Sequence, residues 1–132
     1  MPELANQPTA TDIADVLDKA VQVIDRVGWH RGYLYDEEQY EEGTAFGECR
    51  VDTLGAINTA VTGSPLLGVS KHRLEDRIEL ADATALAVAR HLKIPAIPRQ
   101  IAWWNDELDR KQDDVIQAFR DTAAELRAGA TA

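Results

Sequence analysis

Thr11-Asp-Ile-Ala-Asp-Val-Leu-Asp-Lys-Ala-Val-Gln-Val-Ile-Asp-Arg-Val-Gly-Trp29 is the stretch that decides the fold class. Ile13, Val16, Leu17, Ala20, Val21, Ile24 and Val27 recur at the i, i+3, i+4, i+7 spacing that places them on one face of an α-helix. Thr11 reads as the N-cap, and Asp12 and Asp15 lie near the positive end of the helix dipole. Gly28 stands where a left-handed residue ends a helix. Trp29 then falls where it can pack back on Ile24, as in a Schellman ending.

Working outward, residues 1–10 are polar, with Pro2 and Pro8, and read as a loose arm. On the other side, residues 28–50 interleave Tyr33, Leu34, Tyr35, Tyr40 and Phe46 with Asp36, Glu37, Glu38, Glu41, Glu42 and Glu48. Gly28, Gly32, Gly43 and Gly47 punctuate this segment, which reads as one long loop with a short hairpin or helical turn in it. Loops of this length inside a domain are often functional, or else partly mobile. A second, short helix is expected over Val51 to Val61, where Gly55 and Ala56 leave room for another element to approach. A third runs from a cap at Ser70 to Lys93, with Leu74, Ile78, Ala81, Ala85, Val88 and Leu92 along its seam, and Ile94-Pro95 stops it. Ile101 to Asp106 supplies one or two further turns. Asp109 with Gln112 suggests a capping box for a last helix from Arg110 to Ala128, which Gly129 ends. The expected architecture is all-α: four helices plus short helical turns, orthogonal or bundle-like, with one long loop after the first helix. The arm (1–10), a single domain (11–128) and a short tail (129–132) divide the chain.

The bulk composition narrows the function classes. A chain of 132 residues, 45% hydrophobic and 28% charged, is large and apolar enough to bury a core unaided. Apolar runs are too short for a membrane span, and the first residues do not read as a signal peptide. The single cysteine, Cys49, fits a reducing cytoplasm. A net charge of −9 repels phosphate backbones, so binding of nucleic acid through an ordinary basic surface is not expected. The same charge suits a basic protein partner, or mimicry of a nucleic acid, although its blandest role is solubility.

Residues capable of chemistry are few. Cys49, His30 and Asn105 are the types of a cysteine nucleophile, its base and an orienting amide, and Cys49 lies just before a helix start. The chain order and the absence of a local motif argue against that reading, and Glu48 beside the thiol opposes a thiolate. His30, His72 and His91 have no metal-ligand spacing, and Asp36 to Glu42 lacks the calcium-loop pattern, so neither metal nor cofactor is expected. Trp29, Trp103 and Trp104 with Asn105-Asp106 form the most distinctive cluster. Adjacent tryptophans on a short helix must point differently, one toward the core and one toward solvent. The exposed member beside Asn and Asp is a hot-spot candidate, whereas a structural account makes Asn105 or Asp106 a cap and the indoles a lid.

Gly28-Trp29, then Leu54-Gly55-Ala56-Ile57-Asn58-Thr59-Ala60, then Trp104-Asn105-Asp106 ahead of a final helix, resemble the domain-of-unknown-function 6197 family of small actinobacterial and actinophage proteins. The likeness spans roughly residues 11 to 127. It implies a small helical cytosolic domain of unassigned activity. The family pattern has a cysteine three residues before its Gly-Ala pair, where this chain has Asp52. It also has a Pro-Gly turn after Asn-Asp, where this chain has Glu107-Leu108-Asp109.

The functional expectation is a non-enzymatic protein-interaction module, phage-encoded and acting on a host protein in the host cytoplasm. Its candidate binding residues are Trp104, Asn105, Asp106, His30, Tyr33, Tyr35 and Tyr40, and no catalytic residue is assigned. The rival is a small-ligand binder or enzyme that uses the Trp104-Asn105-Asp106 corner with His30. A third expectation is homodimerisation through the alanine-rich face of helix three.

Overall fold

The first helix, α1 (Ala10–Val27), starts two residues earlier than its periodicity suggests. Thr9, not Thr11, is the cap: its hydroxyl accepts from the Asp12 amide at 3.0 Å while the Asp12 carboxylate accepts from the Thr9 amide at 3.0 Å. This reciprocal box satisfies two otherwise orphaned donors, which a cap at Thr11 does not. At the other end Gly28 accommodates φ 91°, but its ψ of 167° sends the chain off extended. The Schellman ending is therefore replaced by an extended exit, and Trp29 forms an isolated parallel bridge with Val51.

A computed structural model describes residues 7–67 and 74–131, and every regular element among them is helical. After α1 come α2 (Glu37–Glu41), a single 3₁₀ turn (Phe46–Glu48), α3 (Thr53–Thr62), α4 (Leu74–Leu92), α5 (Pro98–Asp106) and α6 (Gln112–Thr131). The all-α reading holds. The cap expected at Ser70 lies outside the described residues, as does His72. No helix among the described residues is long and apolar enough to cross a membrane.

α1 is the central element of the packing, lying along α6 and against α3 and α4, while α5 rests on α3 and α4. Leu17, Ile24, Ile57, Val88, Val115 and Phe119 are among its fully buried contacts. Burying side chains of this size stabilises the fold by about 1.5–3 kcal/mol each, before ordering costs are subtracted. Arg127 of α6 adds surface pairs to Asp15 (3.0 Å) and Asp18 (2.6 Å) of α1. Those groups are well exposed, so the pairs set register more than stability.

α3 differs from the amphipathic pattern, because Thr53, Gly55, Ala56, Ile57, Asn58, Thr59 and Val61 are all buried. It begins after Val51, which is taken into the bridge, and is capped by Asp52, whose carboxylate accepts from the Gly55 amide at 2.6 Å. Gly55 also admits the close approach expected there, since the Leu34 carbonyl lies against it.

Two details at the last helices depart from the sequence reading. Gln112 does not form a box with Asp109: its side-chain oxygen accepts from the Trp29 amide (3.2 Å), and the Lys111 amide is satisfied by Asp114 (2.9 Å) instead. α6 also runs through Gly129 to Thr131. An exposed glycine costs a helix only about 1 kcal/mol, too little to end it when nothing competes.

Candidate functional site

The long segment after α1 is held at both ends by main-chain bonds to residues 50–52. His30 donates to Val51, Asp36 to the Arg50 carbonyl and Asp52 to Leu34. Its interior is organised by rings packed edge to face: Tyr35 on Phe46 (4.8 Å), Tyr33 (5.6 Å) and Tyr40 (6.0 Å), with Tyr40 also on Phe46 (5.6 Å). Such pairs add about 0.5–1.5 kcal/mol each beyond their burial. Asp36 caps α2 and pairs with Arg50 at 2.9 Å. The loop is thus a built surface. Tyr33 and Tyr40 are about half exposed, 49% and 50%, among exposed Glu37, Glu38, Glu41 and Glu42.

The corner at the end of α5 draws in the same loop. Asn105 is fully buried, and three donors converge on its Oδ1: the Trp29 indole N–H (2.6 Å), the Thr53 amide (2.9 Å) and the Thr53 hydroxyl (2.7 Å). Its Nδ2 donates to the His30 carbonyl (3.2 Å) and to Asp106 Oδ1 (3.0 Å). A primary amide has two acceptor positions and two N–H donors, so this one is saturated. Asp106 Oδ1 also accepts from the Gly32 amide at 2.8 Å. The His30 ring shares a 2.8 Å hydrogen bond with the Tyr33 carbonyl. The structure therefore does bring Trp104, Asn105, Asp106 and His30 to one place, and their polar atoms join α3, α5 and the loop to each other.

Of the tryptophan pair, Trp103 is the outward one at 57% exposure. Trp104 packs against the core with the Arg110 guanidinium 4.0 Å over its ring. Arg31 is a structural participant that the sequence reading missed, and Gln112 serves the Trp29 amide here in place of the cap expected of it. Arg31 lies 5.3 Å over the Trp29 ring and donates to the carbonyls of Glu107 (3.0 Å), Leu108 (2.8 Å) and Arg110. These hydrogen bonds join residues more than 70 positions apart, and no local pattern announces them. The exposed Leu108 was visible only as a departure from the family's Pro-Gly turn.

Asp52 is the one strongly perturbed acid among the described residues. Burial pushes its carboxyl up to about 7; the Gly55 amide opposes this, and the neighbouring Asp106 carboxylate adds to it. Cys49 is also buried, with its thiol directed at the Ala45 carbonyl (3.4 Å). Burial and the nearby Asp36 raise its pKa, which disfavours the thiolate that nucleophilic chemistry needs. His91 pairs with Glu125 (2.8 Å), across α4 and α6 from the corner. Among the described residues no three His, Cys, Asp or Glu side chains are placed so that they could hold a metal ion.

Three clefts among the described residues lie away from the corner. One of 370 Å³ runs between α4 and α5, one of 300 Å³ between α4 and α6, and one of 330 Å³ between α1 and α3. None is lined by Trp104, Asn105, Asp106 or His30.

No match was found among curated proteins or among solved structures. The three motifs that meet at the corner, Gly28-Trp29, the Gly55-Ala56 helix and Trp104-Asn105-Asp106, fall inside a family match that covers most of the chain. Over residues 8–125 the chain fits the model of the family of unknown function DUF6197, and it belongs to that family.

Proposed function

We propose that the chain is a non-enzymatic protein-interaction module whose partner presents a basic surface. The observation that carries this reading is the tyrosine loop. Tyr33 and Tyr40 stand half exposed on a packed aromatic base, amid exposed Glu37, Glu38, Glu41 and Glu42. Aromatic side chains that are already ordered lose little freedom on binding, and an acidic field favours encounter with a cationic partner. The net charge of −9 acts in the same direction at longer range.

The setting we assign is a phage-encoded accessory protein acting on a host protein in the host cytoplasm, with which the alanine-rich, acidic composition is compatible. The four longest helices serve as a bundle-like framework for the loop. The rival reading, a ligand or reaction site at Trp104-Asn105-Asp106 with His30, has less support. Its ligand would have to displace three protein donors from Asn105 Oδ1.

Affinity capture from a lysate of the encoding organism tests the proposal, with wild type beside a Tyr33→Ala/Tyr40→Ala double variant. A basic protein should be retained by the wild type, lost on the variant, and released as salt rises. Recovery of no protein above background, or equal recovery on both baits, would overturn the reading.

A further inference from the structure

Leu108 is 95% exposed, at the tip of the turn between α5 and α6. A lone exposed leucine is ordinary, so exposure alone assigns it nothing. What sets this one apart is its support. Arg31 donates to the carbonyls on both sides of the tip and to that of Leu108 itself. Its guanidinium is backed by the Trp29 ring, and that indole is bonded to buried Asn105. A chain of directed contacts therefore runs from the core to the tip, and it holds a large apolar side chain out in water.

The turn does not stand alone. The Gly32 amide bonds to Asp106, so Tyr33 follows directly where the loop meets the end of α5. Trp103, 57% exposed, lies one helical turn before Asp106. From Tyr33 the ring contacts continue through Tyr35 to Tyr40. Leu108, Trp103, Tyr33 and Tyr40 are four of the five large apolar side chains exposed among the described residues, and all belong to the two segments that Arg31 and Asp106 join.

Charge decides what covers them. Glu107 and Asp109 flank Leu108, and Glu37, Glu38, Glu41 and Glu42 flank the tyrosines, all exposed. Four cations lie beside them: Arg31, hydrogen-bonded to carbonyls; Arg110, paired with Glu107 at 3.1 Å; Arg99, 6.0 Å over the Trp103 ring; and Lys111, which follows the turn. Six carboxylates against these four cations leave the surface net negative, most strongly along the tyrosines.

We propose that the Arg31-clamped turn is the apolar anchor of the docking surface, and that its occupant is a basic amphipathic segment of the partner protein. Apolar residues of that segment cover Leu108, Trp103 and Tyr33, while its Lys or Arg side chains meet the flanking carboxylates. This rests on the interaction reading above and adds to it a location, an anchor and the chemistry of the segment recognised. Arg31 is a positioning residue here. It need not touch the partner.

The test titrates the full chain with three synthetic peptides of about eighteen residues: an amphipathic Leu/Lys peptide, a Ser/Lys peptide of equal charge, and a Leu/Glu peptide. Only the Leu/Lys peptide should bind. Leu108→Asp should weaken that binding about tenfold, with an unchanged melting temperature because the side chain lies in solvent. Arg31→Lys keeps the charge but loses the planar fork. It should weaken binding severalfold and raise the backbone mobility of residues 107–110 in NMR relaxation. Wild-type affinity in Leu108→Asp, or equal binding of the Ser/Lys or Leu/Glu peptide, would overturn the proposal. So would a wild-type dimer that Leu108→Asp dissociates, since the occupant would then be a second copy. If Tyr33→Ala/Tyr40→Ala loses the Leu/Lys peptide while Leu108→Asp keeps it, the anchor fails and the interaction reading stands.

Discussion

At Gly55 a methyl group has no room: a Cβ there would stand 1.9 Å from the Leu34 carbonyl oxygen and 2.9 Å from its carbon. Both neighbours are backbone, so relief requires moving the loop off α3. Gly55→Ala is expected to destabilise the chain by about 3 kcal/mol in urea denaturation, more than a typical overpacked core site. The Leu-Gly-Ala run pointed to a close approach in this helix, although the identity of the approaching group was not legible from it. Three residues earlier, Asp52 carries a pH dependence. Its carboxyl rises from 3.8 to about 7 on folding, mainly through burial, so the folded chain holds a proton that the unfolded chain gives up earlier. That contribution to stability is complete below about pH 4 and drains away as pH climbs through 7. Asn still accepts the Gly55 amide bond but carries no charge. Asp52→Asn should therefore exceed wild type by on the order of 2 kcal/mol at pH 8, the gap closing toward pH 4. Paired urea titrations at the two pH values would show it.

α4 ends on a residue that dislikes its conformation. Lys93 has φ 60°, and the amides of Lys93 and Ile94 reach back to Arg90 (3.1 Å) and Ala89 (3.0 Å), which close the helix in a Schellman turn. A non-glycine residue in the left-handed region costs about 1 kcal/mol. Lys93→Gly is expected to raise stability by about that amount, read as an increase in melting temperature. The position illustrates which elements were legible. The i, i+3, i+4 recurrence located α1, α4 and α6, whereas α5 begins at Pro98, which reads as linker, three residues before the expected Ile101. Ends were harder, because several residues compete for each cap and tertiary partners choose between them. Thr9 won over Thr11 through its box with Asp12, and Trp29 captured the Gln112 side chain that the sequence assigned to a cap. α3 was shortened because Val51 was needed in a bridge. The corner itself was marked in the sequence by residues that helix rules left unexplained. Its wiring depends on contacts between residues 29–32 and 105–112, which no local pattern encodes.

Across the whole molecule, 23 acidic residues face 14 basic ones. At low ionic strength the resulting self-repulsion opposes the compact state, and it is screened over about 10 Å at 0.1 M salt. Raising sodium chloride from about 20 mM to about 300 mM should therefore raise the melting temperature by a few degrees. Exposed ion pairs such as Arg26 with Glu48 (2.9 Å) weaken under the same conditions but are worth little. A fall in melting temperature would show that local pairs outweigh global repulsion. The saturated amide of Asn105 has one more consequence, in how the structure opens. It joins Trp29, Thr53 and, through Asp106, Gly32, so lifting the end of α5 exposes three segments that are far apart in the chain. In hydrogen–deuterium exchange, the Trp29 indole and the amides of Gly32 and Thr53 should share a single opening free energy and respond together to denaturant, as one cooperative unit. If Gly32 exchanged independently of Thr53, the loop would be fraying on its own, and the amide would be a fastener for α3 alone.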